Sequence, residues 1–339
     1  MKPWLLAALL AVSFVAKWVH HQHLLRAEQG ILPVCELSSV VSKLYHSGKK
    51  GKIHYHRGHR VSWGFPPRKQ KPCAPQPGAV SYELSGGRLG DNLLSYLHAL
   101  WLSYKDNRPM HYVPFPMGEH FALSRQTSDT PIAVTVPYFP EPSMKNRSQP
   151  FFVDWDDPGF QDRVHKALAP TQPVKCLSLP SDRIRVAVHV RRPERFDHTS
   201  LYLEYPLKFP PDEYYLEQLR LVASVFRDKP LYIFLFTDAL EPEKLLHQYK
   251  STLSLPNTEW ACTSNSKNVL EDFYSMTQFD CMILCDSSFS TTASKLGSYA
   301  LRINPTHYVK HKGHVQVTGV NVAFNGTIPA QSPTSVQMR

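Results

Sequence analysis

The chain has 339 residues, 42% of them hydrophobic, and a formal net charge of +10. That length and apolar content suffice for two cores and exclude a wholly disordered chain. The charge is lopsided: residues 1–82 carry 12 Lys and Arg against 2 acids, while residues 83–339 carry 26 against 26, so the part that folds is balanced and no nucleic-acid partner is expected.

Residues 1–19 read as a single N-terminal signal-anchor. Lys2 precedes an apolar stretch from Pro3 to Ala16, which Lys17 ends. The stretch is short for a membrane span. Trp18 and Val19 lengthen it if Lys17 snorkels. Cleavage after Ala16 would need a small residue where Phe14 stands, so the segment is expected to stay attached and to associate the protein with a membrane. Residues 20–79 read as a basic, proline-rich linker. Nine Lys/Arg and no acids lie between Glu36 and Glu83, with prolines at 66, 67, 72, 75 and 77. Such a segment suits an anionic lipid surface. His54, His56 and His59 have no neighbouring acid or cysteine to complete a metal site.

An N-terminal α/β domain is expected over 80–180. Tyr82, Leu84, Gly86 and Gly87 suggest a short strand and turn. A helix over 91–106 follows, with Leu93, Leu94, Leu97, Leu100 and Trp101 on one face. Residues 110–160, rich in proline and aromatics, are expected to be irregular and to offer a place for acceptor recognition.

The second domain is expected over 181–325, with a tail over 326–339 and the chain after 320 extended and poorly packed. Ile184, Val186, Val188 and Val190 alternate with Arg183, Arg185, Ala187 and His189, which is the period of a strand. The strand delivers His189, Arg191 and Arg192 to its carboxyl end. Two further apolar runs behave alike. Leu231–Phe236 ends in Thr237 and Asp238 and feeds a helix opened by Glu241, Pro242 and Glu243; Cys281–Cys285 ends in Asp286, Ser287, Ser288, Phe289 and Ser290 and feeds a helix-like segment, Thr291 to Leu301. Helices are also expected over 211–227 and 267–279. In a parallel sheet all three strand ends share one edge, where ligands bind. Paired arginines, hydroxyls and a helix start suit a phosphorylated ligand there.

These residues carry a resemblance. Gly87–Asn92 reads G-R-L-G-D-N, His189–Glu194 reads H-V-R-R-P-E, and 271–290 reads E-D-F-Y-S-M-T-Q-F-D-C-M-I-L-C-D-S-S-F-S. In content, order and spacing the chain, over about residues 80 to 305, resembles the fucosyltransferase superfamily, closest to its α-1,2 branch. The resemblance implies a GT-B architecture: two Rossmann-like domains with parallel sheets facing a cleft. It also implies a glycosyltransferase that moves fucose from GDP-fucose to a glycan or protein acceptor, with inversion and without a metal or other cofactor.

By the same resemblance Arg191 and Asp91 are the expected catalytic residues, Arg191 on the departing diphosphate and Asp91 as base. Arg88, Asn92, His189, Arg192, Asp272, Ser288, Phe289 and Ser290 are expected to bind the donor, with Asp272 on the guanine. Residue type also makes Asp91 a helix cap, and Glu194 is the rival base. The chain departs from the family where G-N-Q is Gly90-Asp91-Asn92, where an aspartate is Glu194 after Pro193, and where an aromatic pair is Thr291-Thr292. Transfer of another nucleotide sugar, or nucleotide binding without turnover, therefore stay open. A transferase of this kind would sit in a Golgi-type membrane if eukaryotic and at the inner membrane or in the cytoplasm if bacterial. The basic arm favours a cytoplasmic face.

The six cysteines (35, 73, 176, 262, 281, 285) lack metal spacing. Cys281 and Cys285 lie about 13 Å apart at strand rise, too far for a disulfide, and read as buried thiols. Two glycosylation sequons, at Asn146 and Asn325, matter only in a lumenal protein.

Overall fold

The computed structural model describes residues 51–56, 62–63, 78–123, 129–138, 152–196, 200–263 and 268–325. Its elements in chain order are β1 (Gly51–His56), β2 (Ser62–Trp63), β3 (Ala79–Tyr82), α1 (Leu89–Asp106), β4 (Ile132–Val136), α2 (Pro158–Ala167), β5 (Ile184–Val190), α3 (Leu201–Glu204), α4 (Asp212–Val225), β6 (Leu231–Thr237), α5 (Pro242–Leu253), β7 (Thr258–Cys262), α6 (Val269–Met276), β8 (Cys281–Ile283), α7 (Ser288–Ala293), β9 (Leu301–His311) and β10 (His314–Phe324). Short 3₁₀ turns lie at Gly118–His120 and Pro193–Phe196. The fold is α/β.

Eight strands form one sheet in the order β2-β1-β10-β9-β8-β5-β6-β7. Its centre, β9-β8-β5-β6-β7, is parallel. The alternation read in β5 sorts its side chains onto two cores. Ile184, Val186, Val188 and Val190 join Tyr215, Leu219 and Val222 of α4 on one face. Ala187 lies on the other face with Phe234, Phe236 and the residues around α1, α6 and α7. A strand buried on both faces is what a parallel sheet requires. Asp280, 2% exposed, ties β5 to β8. Its carboxylate accepts from the Arg185 guanidinium at 2.7 and 2.9 Å and from the Arg185 N–H at 2.9 Å.

The first unit is smaller. Strands β3 and β4 pair in parallel, and α1 packs on both. Its core, with Leu93, Tyr96, Leu97 and Trp101, is continuous with the Phe234 face of the large sheet. Chain order places the ligand edge. From β5 the chain steps outward through β6 to β7, then returns to the other side of β5 as β8. The order reverses between β5 and β8, and the crevice beyond their carboxyl ends is where such sheets hold ligands.

Several expectations are corrected here. Residues 51–56, read as linker, form β1, whose backbone pairs antiparallel with β10 from Gly51↔Phe324 to His56↔Gly319. The chain after 320 is not poorly packed. Residues 320–324 complete β10, with Val320, Val322 and Phe324 buried, because their alternation matches the pleat. The stretch 110–160 includes β4 and the start of α2, whose N-cap Asp157 accepts the Phe160 N–H at 3.0 Å. The last helix starts at Ser288 rather than Thr291 and stops at Ala293. The expected anchor at 1–19, the rest of the basic arm, Cys35, Cys73, the 146–148 sequon and the tail 326–339 lie outside the described residues. Among the described residues no helix is long and apolar enough to cross a membrane.

The β1 pairing covers β10. A chain truncated before Gly78 loses β1 and β2 and leaves β10 as a bare edge, which invites pairing between molecules. The truncated protein is expected to self-associate in light scattering where the full chain does not; a monodisperse, equally stable truncation would show that β1 is dispensable.

Candidate active site

A cavity of about 610 Å³ opens at the carboxyl edge, between the two units. From the first unit come Gly87, Arg88, Gly90, Asp91 and Asn92 at the start of α1, with Pro116 and Met117; from the second come His189, Arg191, Lys208, Phe236, Thr237, Asp238, Asp272, Ser288 and Phe289. Three motifs far apart in the sequence thus meet on one wall. The meeting is close. Gly90 lies against the backbone of Ser288 and Phe289, so the start of α1 abuts the start of α7. The first N–H groups of a helix lack intrahelical partners. Here two sets of them adjoin the cations of Arg88, Arg191 and Lys208. Helix α7 is under two turns, so its contribution is individual N–H groups rather than a macrodipole.

Arg191 leaves the end of β5 with its side chain 11% exposed. Its Nε is 3.3 Å from Asp238 Oδ2, and its guanidinium lies 5.8 Å from the centre of the Phe209 ring. Asp238 also accepts the Arg192 N–H at 2.8 Å. The carboxylate therefore aims Arg191 and fixes the turn that carries it.

His189 is buried, and its Nδ1 lies 2.7 Å from Ser290 Oγ and 3.5 Å from Cys285 Sγ. With Nδ1 engaged, Nε2 is the nitrogen left for the cavity. Burial, reinforced by the charges of Arg191 and Arg88, drives its pKa down to about 3. The imidazole is neutral at any physiological pH. The sign of the linkage follows. The unfolded state, with a pKa near 6.5, binds more protons between pH 3 and 6.5, so His189 favours the folded state above that window and loses this contribution as pH falls through it. Replacing His189 by Gln, which keeps a partner for Ser290, is expected to remove about 2 kcal/mol of the stability difference between pH 5 and pH 7. Urea unfolding at the two pH values measures it; an unchanged difference would mean that His189 is not a buried neutral group. His98, lowered to about 4 by burial and by Lys295, adds a slope of the same sign.

Asp91 sits at the third position of α1, where its carboxylate accepts from Tyr138 at 2.6 Å and from the Arg88 N–H at 3.3 Å. Burial alone would raise its pKa. The hydrogen bonds from Tyr138 and Ser288, the Lys208 charge and the Arg88 N–H outweigh burial and hold it below the usual carboxylate range. Burial and the bond to Asp91 push the Tyr138 hydroxyl up to about 12, so it stays a donor. Asn92 donates to the Gly87 carbonyl at 3.4 Å, and its Oδ1 is buried without a partner in the protein. A ligand hydroxyl or N–H would satisfy that oxygen. Asp272 reaches the cavity from the first turn of α6, which Asn268 caps by accepting the Leu270 and Glu271 N–H groups at 3.0 and 3.4 Å. Phe289 packs edge-on to Phe273, 5.5 Å between ring centres.

Eight of the ten expected site residues therefore line one cavity: Arg88, Asp91, Asn92, His189, Arg191, Asp272, Ser288 and Phe289. Two do not, and direct donor contact by them is corrected. Arg192 points to the opposite face of the sheet, where Asp212 and Tyr249 hold its guanidinium. Ser290 is fully buried behind the wall, holding His189. Period-two alternation carried the first signal, since neighbours on a strand face opposite ways. Glu194 is exposed on a 3₁₀ turn and is not among the residues that line the cavity. Lys208 and Tyr138 were missed. Both come from irregular segments with no period, and only folding brings them to the site.

No family model matches the chain, and no curated protein matches it. Among solved structures the chain is similar to POFUT1 in complex with GDP-fucose, at 12% identity and a TM-score of 0.39 over 67% of this chain and 96% of that one. It is also similar to the fucosyltransferase NodZ from Bradyrhizobium, at 16% identity and a TM-score of 0.34 over 70% and 97%. A third is the NodZ alpha-1,6-fucosyltransferase co-crystallized with GDP, at 14% identity and a TM-score of 0.33 over 70% and 96%.

Proposed function

We propose that this chain is a glycosyltransferase that moves fucose from GDP-fucose to a hydroxyl of a glycan or protein acceptor, with inversion and without a metal. One observation carries the reading: Arg88, Arg191, Lys208 and the adjoining starts of α1 and α7 surround a single cavity at the point where the strand order reverses. A diphosphate is the ligand whose charge such a site complements.

In this reading the acceptor oxygen bonds to the anomeric carbon as the bond from that carbon to the diphosphate oxygen breaks. Arg191, with Arg88 and Lys208, meets the charge that grows on the leaving diphosphate, an electrostatic role realised in the transition state. Neutral His189 offers its free nitrogen to the donor without opposing that charge. Asp91, ionised and with its pKa depressed, is a weak base. A weak base suffices when departure of the leaving group runs ahead of proton loss, because the acceptor hydroxyl then becomes acidic before its proton is taken. Asp272, with Asn92 across the cavity, gives the site polar groups that discriminate the base and sugar. Attachment to a membrane by residues 1–19 belongs to the same proposal.

The test is thermal protection. GDP is expected to raise the melting temperature at concentrations where UDP does not, and GDP-fucose with a mixed glycan acceptor is expected to release GDP. Protection by UDP alone would favour a different nucleotide sugar. GDP binding with neither transfer nor hydrolysis would favour a binding protein on the same scaffold.

Among the described residues no three His, Cys, Asp or Glu side chains converge as metal ligands. In the proposed mechanism Arg88, Arg191 and Lys208 meet the diphosphate charge, so turnover is expected to survive saturating chelator. Loss of turnover, restored by manganese or magnesium, would overturn the metal-free mechanism.

A further inference from the structure

The β9–β10 hairpin rises past the edge at which the cavity opens. The register shows how far. Val188 pairs with Ile283 and Ile283 with Ile303, so Val190, the last residue of β5, is level with Pro305. Strand β9 continues six residues further, to His311. At strand rise that is about 20 Å of ribbon continuing beyond the strand ends that bound the cavity, with bulges opposite Pro305 and His307 at its root. Its root is packed, with Ile303, Val317 and Val320 buried. Its outer part, from His307 to His314, is exposed on every residue.

An exposed two-stranded ribbon is marginal on its own, and this one is not designed for inertness. Tyr308 is 39% exposed and Val309 49%. The Lys310 ammonium lies 5.6 Å from the centre of the Tyr308 ring, so ring and cation form one unit on one face of β9. The turn joins His311 to His314 through Lys312 and Gly313, both with positive φ, 47° and 78°. That turn type favours Asn or Asp before Gly, because an ordinary side chain is strained there. A lysine holds the place instead. The outer ribbon carries Lys310, Lys312, His307, His311 and His314, and no Asp or Glu occurs anywhere from residue 287 to 339. From residue 83 onward acids and bases balance as a whole, so the positive excess of this stretch is local.

We propose that the protruding β9–β10 hairpin is an acceptor-binding arm for an anionic glycan, with the Tyr308 ring against a sugar face and Lys310 and Lys312 on carboxylate or sulfate groups. The inference rests on the transferase reading above and names the chemical class of its acceptor. An aromatic ring with adjoining cations complements a sugar that has apolar faces and fixed negative charge. The position beside the cavity, on the same edge of the sheet, favours an acceptor over a membrane surface.

The experiment measures binding by the full chain. The probes are a sulfated uronate-containing octasaccharide, a neutral chitin tetrasaccharide, and vesicles of phosphatidylcholine with a minor fraction of phosphatidylserine. Lys310→Glu/Lys312→Glu is compared with a matched reversal in the basic arm, Lys69→Glu/Lys71→Glu. The hairpin variant is expected to lose at least tenfold in affinity for the sulfated octasaccharide. The arm variant is expected to lose less than twofold, and the neutral glycan should bind more weakly than the sulfated one to the parent chain. Melting temperature and GDP protection, measured on the same samples, should be unchanged in the hairpin variant. Equal losses in both variants would mean undirected charge and overturn the proposal. So would a hairpin variant that loses vesicle binding alone, or none at all. Hairpin-dependent glycan binding without GDP protection in any sample would instead sink the transferase reading and leave the glycan site standing.

Discussion

Arg191→Lys is expected to lower turnover by about a hundredfold to a thousandfold while leaving the melting temperature within a few degrees of the parent. The magnitude is that of removing one preorganised donor from a developing negative charge. Lysine keeps the charge but has no planar fork, so it cannot give a phosphate two parallel hydrogen bonds. It also cannot lie against Phe209 while its Nε meets Asp238, the arrangement that aims Arg191 across the cavity. The next residue serves as control. Arg192→Lys, on the other face of the sheet, breaks the pairing with Asp212 and Tyr249 and should cost stability rather than turnover. Rates and unfolding curves for both variants decide the matter. Near-normal turnover in Arg191→Lys, or a greater loss in Arg192→Lys at equal stability, would take the diphosphate away from Arg191.

Gly90→Ala is expected to destabilise the protein by about 3 kcal/mol and to abolish nucleotide protection. A methyl there would lie within contact distance of the Phe289 N and Cα and 2.8 Å from the Ser288 carbonyl carbon. Those are backbone atoms, with no flexible end to move aside, and overpacking a tight contact costs about 1–3 kcal/mol even where side chains can adjust. The helix starts would be forced apart, carrying Arg88 and Asn92 away from Ser288 and Phe289. Gly86→Ala makes the comparison. No atom lies within 4 Å of a Cβ at that position, though φ is +72°. Its cost should be that of backbone strain alone, about 1 kcal/mol. Calorimetry with and without GDP separates the two. A Gly90→Ala protein as stable as the parent and still protected by GDP would mean that the α1–α7 approach does not build the site.

The sequence alone determined the local elements and the chemistry at their ends. Uninterrupted apolar runs of strand length at Leu231–Phe236 and Cys281–Cys285 read as strands buried on both faces, and they supply β6 and, over Cys281–Ile283, β8. The alternation from Ile184 to Val190 sets which side chains meet α4. The apolar stripe from Leu93 to Trp101 makes α1 amphipathic. Polar residues at the carboxyl ends of those strands marked the ligand edge, and His189, Arg191 and Ser288 were legible there for that reason; Asp272, on a helix, was marked only by the family resemblance. The antiparallel side of the sheet, where β1, β10 and β9 pair, was not legible. β1, at Gly51–His56, lies in a basic segment that resembles a linker until β10 supplies its hydrogen-bond partners, and β9 is broken in pattern by Pro305 and its polar outer half. Local period cannot report a partner that lies near the other end of the chain.

Tertiary structure decided which of the marked residues share a space. It separated Arg191 from Arg192, whose residue types are identical: Arg191 lies at the cavity beside Asp238, and Arg192 is held by Asp212 and Tyr249. It placed Ser290 behind His189 as a support, and it drew Lys208 and Tyr138 in from irregular segments. It also set the charge states, since burial beside two arginines makes His189 neutral and the donors around Asp91 keep that carboxylate ionised. These are properties of distance and solvent exclusion. They arise only when Gly90 lets α1 come against α7, a through-space contact between segments that are remote in the sequence.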